Sequence, residues 1–99
     1  DRREISADGL FIVVATISSE DGHVVADPEV LFRGVAFLEE ADALVEDLRD
    51  LVEDSLEDAA NAGTRELHLV QEDLHDAVAG LVYEKLRRRP MIVPVVVEV

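Results

Sequence analysis

The most constraining feature of this chain is its C-terminal end, where a basic cluster, a proline and a nearly continuous apolar run follow one another. The cluster covers residues 85–89, the proline is Pro90, and the apolar run covers residues 91–99. Cations followed by proline are typical of a helix end, because the last carbonyls carry partial negative charge and proline cannot continue the helix. An exposed apolar strand invites aggregation, so this end predicts a helix followed by a strand that something else covers.

Length and composition are typical of one small globular domain. The chain has 99 residues, of which 48% are hydrophobic and 32% are charged, so residues 1–99 are predicted to form a single domain. It begins with Asp1 instead of methionine, which suggests a piece of a longer chain. There is no cysteine, no secretory signal pattern and no apolar run of membrane-spanning length. We therefore expect a cytoplasmic domain with no membrane partner.

Net charge limits the partners of this domain. The formal net charge at pH 7 is −14, and ten acidic residues lie between Glu39 and Asp58 with Arg49 as the single cation among them. A surface of this sign repels phosphate backbones and anionic membranes, whereas nucleic-acid-binding modules carry basic faces. The charge predicts that this domain is not the part of a parent protein that grips RNA.

Hydrophobic periodicity divides the chain into strands and helices. Residues 10–17 and 24–32 are predicted to be strands joined by a turn at Asp21-Gly22. Pro28 predicts a bulge or bend in the second strand, or an edge position for it. Apolar residues then recur every three or four positions from about 39 to 60 and again from about 66 to 88, which predicts two helices. The final strand begins after Pro90.

The predicted fold class is therefore α+β, in the order ββααβ. We expect a three-stranded mixed sheet with two antiparallel helices packed on one face. The first strand is placed at the centre because it is the most apolar. The last strand is expected to run parallel to the first, and the second strand antiparallel to both.

Three motifs give the chain a resemblance to a known family. They are Asp8-Gly9 leading into an apolar strand, Arg33-Gly34-Val35, and the C-terminal end, whose most specific parts are Tyr83-Glu84-Lys85 and Arg88-Arg89-Pro90-Met91-Ile92. With these motifs in this order, the chain resembles the C-terminal domain of bacterial ribonuclease J, of the metallo-β-lactamase/β-CASP ribonuclease family. The resemblance covers nearly the whole chain.

The resemblance implies a division of labour within a longer parent. In that family a metallo-β-lactamase domain with a His-x-His-x-Asp-His motif and a β-CASP domain carry the metal-dependent exo- and endoribonuclease activity, with zinc or manganese implied as the parent's metal. His23, His68 and His75 do not have this spacing, so we assign no catalytic, cofactor-binding or metal-binding residue to this chain. The resemblance implies a non-catalytic domain that supports oligomer assembly and activity, with RNA contacted by the parent. An acidic module that recruits partners of RNA turnover is the alternative.

Alternation along the first and last strands predicts an interaction surface. Two helices cover one face of a sheet, and we assign to that face the wholly apolar sets, which are positions 11, 13, 15 and 17 and positions 91, 93, 95, 97 and 99. The mixed sets then form the second face, which is either an ordinary solvated face or, as we expect, a contact with a second copy or the parent's other domains. The expected interface residues are Ile12, Val14, Thr16, Ile92, Pro94 and Val96.

The basic cluster at residues 85–89 has two interpretations. We favour a helix end that compensates its dipole and pairs with nearby acids. The alternative is an RNA contact, for which Tyr83 is the single tyrosine and tryptophan is absent, so stacking partners are scarce. His68 and His75 are too far apart along a helix, at about 10 Å, to share one metal ion.

Overall fold

Five elements follow one another in the predicted order. The computed structural model describes residues 8–99, and residues 1–7 of the predicted domain lie outside the described residues. The elements are strand β1 (Leu10–Ile17), strand β2 (Val24–Arg33), helix α1 (Leu38–Asn61), helix α2 (Leu67–Leu86) and strand β3 (Met91–Glu98). The described part of the chain is therefore an α+β fold of order ββααβ, as the sequence predicts.

The sheet has the predicted strand order and directions. β1 lies at the centre, with β2 antiparallel on one side and β3 parallel on the other. The bulge predicted at Pro28 is confirmed, because Val14 pairs with Glu29 whereas Thr16 pairs with Ala26, which leaves one extra residue in β2. A proline is tolerated at such a point because no ladder hydrogen bond is needed from its nitrogen.

The core lies between the helices and one face of the sheet. On β1 every second side chain is buried, which confirms the helix-covered face predicted for Phe11, Val13, Ala15 and Ile17. Each helix contributes a stripe at three- and four-residue spacing, as the period of an amphipathic helix requires. The buried residues are Ala41, Leu44, Leu48, Val52 and Leu56 from α1, and Val70, Leu74, Val78 and Val82 from α2. Over residues 8–99, neither helix is long and apolar enough to cross a membrane.

Two of the motifs that carry the family resemblance pack against each other at one end of the sheet. Gly9 has a φ of +93°, and a Cβ built there would lie 2.6 Å from Val35 Cγ1 and 2.8 Å from the carbonyl oxygen of Arg33. Only glycine allows the backbone of β1 to approach the end of β2 this closely without strain. The Gly9 carbonyl also accepts a 2.9 Å hydrogen bond from the N–H of Met91, so this residue joins all three strands.

Helix α2 ends earlier than predicted. Its last residue is Leu86, and Arg87 adopts the left-handed conformation with a φ of 55° while its N–H donates to the Tyr83 carbonyl at 2.9 Å. This is the usual αL helix ending, with Pro90 close behind it to prevent continuation. The short linker then places Met91 beside Leu10, where β3 begins to pair with β1.

Candidate docking surface

The face of the sheet opposite the helices consists of four rows of three residues. Directly paired residues point to the same side of a sheet, so the strand register gives the composition of each face. From β2 through β1 to β3, the rows are Arg33–Leu10–Met91, Leu31–Ile12–Val93, Glu29–Val14–Val95 and Ala26–Thr16–Val97. We call these twelve residues the open face. Nine of them are apolar, and Leu31, Val95 and Val97 are among the exposed large hydrophobic residues of the described chain.

The register corrects the sheet face that was assigned to half of the predicted interface residues. Ile12, Val14 and Thr16 lie on the open face as expected, and they are partly exposed. The face predicted for Ile92, Pro94 and Val96 is wrong, because these residues pair with Phe11, Val13 and Ala15 and so point toward the helices. Ile92 is 6% exposed and Val96 is 8% exposed.

The same correction identifies the residues that the sequence argument missed. The two faces of β3 are the reverse of those predicted. The open face therefore carries Met91, Val93, Val95 and Val97, which were expected in the core. The charged residue of β3, Glu98, pairs with Ile17 on the helix-covered face and is exposed because it lies at the end of the strand. The open face is therefore more apolar than the sequence predicted, since β3 presents a set without proline or charge.

The β3 edge of the sheet is less available than its open face. The N–H groups of Met91 and Val99 donate to carbonyls of Gly9 and Ile17, so the even-numbered residues of β3 direct their nitrogens outward. Of these, Pro94 has no N–H, and the N–H of Val96 donates to Gln71 Oε1 at 3.4 Å. Proline and capped donors at an edge oppose pairing with a further strand. A partner of this sheet is therefore better placed on its face than along the edge of β3.

A carboxylate of α1, that of Glu57, binds the backbone and a side chain at the β1–β2 turn. Glu57 Oε2 accepts a 2.9 Å hydrogen bond from the N–H of Val24, and Glu57 Oε1 lies 2.7 Å from His23 Nδ1. The Val24 hydrogen bond and then the His23 contact lower the pKa of the Glu57 carboxyl below its ordinary value. This contact ties the start of β2 to α1.

The Glu57 contact predicts a component of acid sensitivity. Because the folded state lowers this pKa, the stabilisation is full above the ordinary pKa of a glutamate and is lost as the pH falls through the lowered value. We expect Glu57→Gln to lose less stability than the wild type across that acid interval, as measured by urea unfolding at a series of pH values. Glu53→Gln, one turn earlier on α1, is the matched control and should follow the wild type. An unchanged acid profile in Glu57→Gln would contradict this assignment.

The other histidines lie apart from one another and from His23. His68 Nδ1 is 3.5 Å from Glu66 Oε2, and His75 Nδ1 is 3.1 Å from Asp76 Oδ1, both at exposed positions. Among residues 8–99, no group of three or more histidine, cysteine, aspartate or glutamate side chains is arranged to hold a metal ion. A groove of about 310 Å³ between β2 and α1 is lined by Asp27, Glu53, Asp54 and Glu57 together with residues 24–26.

The fold and its surfaces define a small α+β domain whose most distinctive feature is an apolar open face. Over residues 1–99 the chain matches the family described as the ribonuclease J C-terminal domain. The chain therefore belongs to the ribonuclease J C-terminal domain family, as its motifs suggested.

Curated relatives show how the domain sits within longer proteins. The chain is 34% identical over 99 residues to ribonuclease J2 of Bacillus subtilis strain 168, and this match covers 100% of the chain and 18% of the relative. It is 30% identical over 99 residues to ribonuclease J 2 of Staphylococcus saprophyticus, again covering 100% of the chain and 18% of the relative. The chain thus spans about 18% of the length of these relatives.

Proposed function

We propose that this chain is the non-catalytic C-terminal domain of a cytoplasmic ribonuclease J-type enzyme that processes and degrades RNA. In this proposal the catalytic chemistry and the divalent metal, zinc or manganese, belong to the rest of the parent. The domain joins subunits of the parent and thereby supports its activity. The observation that carries the proposal is the open face, where apolar side chains of all three strands lie on the side away from the helices.

A second copy of this domain fits the open face electrostatically. The acidic face of α1 lies on the opposite side of the sheet, so two copies stacked through their open faces keep these carboxylates far apart. The two charged residues of the open face, Arg33 and Glu29, have opposite signs and lie two rows apart on β2. A two-fold axis that lies between the stacked sheets, perpendicular to the strands at the level of Leu31, would bring Arg33 of one copy toward Glu29 of the other.

The size of the open face predicts weak association by one domain alone. Three strands at about 4.8 Å spacing and strands of about 26 Å length give an area of roughly 370 Å² for each copy. Two such areas remain below the roughly 1,200–2,000 Å² of a standard stable interface. We therefore expect weak dimers of the isolated chain, and tighter assembly where the parent adds further contacts through multivalency.

Val97→Asp tests this proposal with a matched control. Val97 on the open face and Leu69 on α2 are each 42% exposed, so Val97→Asp and Leu69→Asp add the same charge at equally exposed positions. We expect the wild-type chain and Leu69→Asp to show the same concentration-dependent dimerisation in sedimentation velocity. Val97→Asp should shift the dimer dissociation constant upward by more than about tenfold, since a carboxylate would be desolvated in the contact.

Two outcomes of this experiment would contradict the proposal. One is a wild-type chain that remains monomeric at high micromolar concentration. The other is an equal loss of dimer in Val97→Asp and Leu69→Asp, which would indicate repulsion from net charge instead of a contact at the open face. Circular dichroism of each variant establishes that the fold is retained.

The acidic face of α1 supports the alternative function, recruitment of a basic partner of RNA turnover. Its ten carboxylates have Arg49 as the one cation on the same helix, and Arg49 Nη1 already lies 2.8 Å from Glu46 Oε1. Such a surface speeds the encounter with basic proteins at low salt. A partner captured through α1 would be released by salt and would be insensitive to Val97→Asp, which separates this function from assembly through the open face.

A further inference from the structure

The β2 edge of the sheet directs backbone groups away from β1. The carbonyls of Gly9 and Ile17 accept hydrogen bonds from β3, so even-numbered residues of β1 direct their backbone groups toward β2. The β2 residues that pair with these positions, and therefore face β1, are Glu29, Leu31 and Arg33. The backbone groups of Val30 and Phe32 consequently point outward. Within residues 8–99, β2 is an edge strand with β1 as its one neighbour.

The two halves of this edge are not equally open. In the first half Pro28 has no N–H, and the N–H of Val24 donates to Glu57 Oε2 at 2.9 Å, which is how natural edges are protected from pairing. In the second half the Phe32 carbonyl accepts a 3.0 Å hydrogen bond from Nη1 of the neighbouring, exposed Arg33. An exposed arginine loses rotamer freedom in such a contact, so the N–H of an added strand can replace it. A fourth strand therefore has its pairing positions in the second half.

A groove runs beside this edge, between β2 and the side of α1. It consists of three cavities, and the first, of about 370 Å³, is lined by Phe32, Leu38, Glu39 and Asp42. The second, of about 160 Å³, lies between the Pro28 bend and residues 46–53 of α1. The third, of about 310 Å³, lies between residues 24–27 and residues 53–57. Together they follow the length of β2, and we call them the edge groove.

The chemistry of the edge groove changes along its length. The first cavity has an apolar wall, where Phe32 is partly buried and the Leu38 side chain is 60% exposed. Carboxylates dominate the other two cavities, and the one cation that lines them, Arg49, has its Nη1 atom 2.8 Å from Glu46 Oε1. A complementary occupant has an apolar residue with cations on the same side.

We propose that the edge groove binds an extended peptide segment of a partner protein, added to β2 as a fourth, antiparallel strand. The segment has an apolar residue opposite Phe32 and a lysine or arginine two positions to either side. The inference rests on the alternative function, recruitment of a basic partner, and adds where and in which conformation the partner binds. Main-chain hydrogen bonds to Val30 and Phe32 supply affinity, and alternate side chains supply specificity. Directly paired residues point to the same side of a sheet, so the apolar residue enters the cavity at Leu38.

The test uses a defined probe and a matched control probe. The probe is an end-blocked, rhodamine-labelled peptide of sequence Thr-Lys-Thr-Leu-Thr-Lys-Thr, which puts its leucine and both lysines on one side of a strand. The control is N-methylated at the leucine and both lysines, so it keeps the charge and the side chains but lacks the donors that face β2. Fluorescence anisotropy with the chain at low salt measures binding. We expect the control to bind more than about tenfold more weakly than the probe.

Leu38→Ala tests the apolar cavity, with Leu69→Ala as its control. Both substitutions shorten an exposed leucine in the first turn of a helix, and Leu38 is the one that lines the groove. We expect Leu38→Ala to weaken binding of the probe by about fivefold, because part of the apolar contact is lost, and Leu69→Ala to leave it unchanged.

Two double variants of α1 test the carboxylates. Glu39→Gln/Asp42→Asn removes two charges from the first cavity, whereas Glu40→Gln/Asp47→Asn removes two charges from the same helix outside the three cavities. The first variant should weaken binding of the probe by about fivefold at low salt, and the second by less than about twofold.

Three results would overturn the inference. They are a wild-type chain that does not bind the probe, equal binding of the N-methylated control, and equal losses in Leu38→Ala and Leu69→Ala. Equal losses in the two double variants would overturn it as well, while recruitment through the acidic face of α1 as a whole would stand. Val97→Asp should bind the probe as the wild type does, so failure of the edge groove and failure of assembly are separate results. The comparison of the two probes leaves the protein unchanged, so it decides the question even if a variant does not fold.

Discussion

Replacing Gly9 with alanine is expected to lower the free energy of unfolding by about 2–5 kcal/mol, a large part of the stability of a small domain. Two costs add at this position. The positive φ of +93° disfavours any side chain, and the new Cβ would overlap the backbone of Arg33 and Gly34 as well as Val35 Cγ1. Backbone neighbours cannot swing aside as the tip of a long side chain can. The measurement is urea unfolding followed by circular dichroism.

Gly80→Ala is the matched control for this prediction. Gly80 lies within α2, and a Cβ built there meets nothing within 4 Å beyond the helix's own backbone. Alanine in the interior of an exposed helix is more favourable than glycine by about 1 kcal/mol, so this variant should be more stable than the wild type. Equal midpoints of unfolding for the two glycine variants would show that β1 and the end of β2 do not approach each other as closely as described.

Local patterns in the sequence were sufficient to predict the elements, their order and the face of the central strand. In residues 10–17, a wholly apolar set (Phe11, Val13, Ala15 and Ile17) alternates with a set that includes Thr16. The wholly apolar face of a central strand is the one expected to lie under the helices. The three- and four-residue spacing in α1 and α2 likewise follows from the period of a helix. These are local properties, so no knowledge of the tertiary fold was needed.

The faces of β3 could not be predicted by the same criterion. Both sets of alternate residues in this strand are largely apolar, and the set that contains Pro94 and Glu98 appeared the better candidate for exposure. The register with β1 decides otherwise, because Phe11 pairs with Ile92 and Ala15 pairs with Val96. One available signal was Pro94, whose nitrogen must point away from the ladder. In a strand of L-residues that direction also fixes the side-chain face, once the position of the strand in the sheet is known.

The cations Arg33, Lys85, Arg87, Arg88 and Arg89 show a different limit of sequence reasoning. The cations at residues 85–89 are visible as a run, and on their own they are explained by the end of α2. Arg33 lies more than 50 positions away in the sequence and joins them only because β2 and β3 flank the start of β1. The stacking of Arg88 on Phe37 also depends on the packing of α1 against the sheet. A cluster that is assembled from three elements has no local signature.

Val96→Asp is expected to cost about 3–5 kcal/mol in the free energy of unfolding, because it places a carboxylate without a cationic partner under the helices. Val96 is 8% exposed and pairs with Ala15, whose side chain is 1% exposed. The neighbouring variant Val97→Asp introduces the same group at a position that is 42% exposed on the open face. We expect it to cost less than about 1 kcal/mol, as β-propensity scales allow.

This pair tests the face assignment on which both the core and the open face depend. Adjacent positions share the strand, the edge and the substituted chemistry, so burial is the main difference between them. In urea unfolding, the free energy of unfolding of Val96→Asp should fall far below that of the wild type, whereas that of Val97→Asp should stay near it. In sedimentation velocity, Val97→Asp should be folded but impaired in dimerisation. If Val97→Asp unfolds and Val96→Asp does not, then β3 packs with its other face toward the helices. In that case Ile92, Pro94 and Val96 lie on the open face, and this face loses the apolar contribution of Met91, Val93, Val95 and Val97.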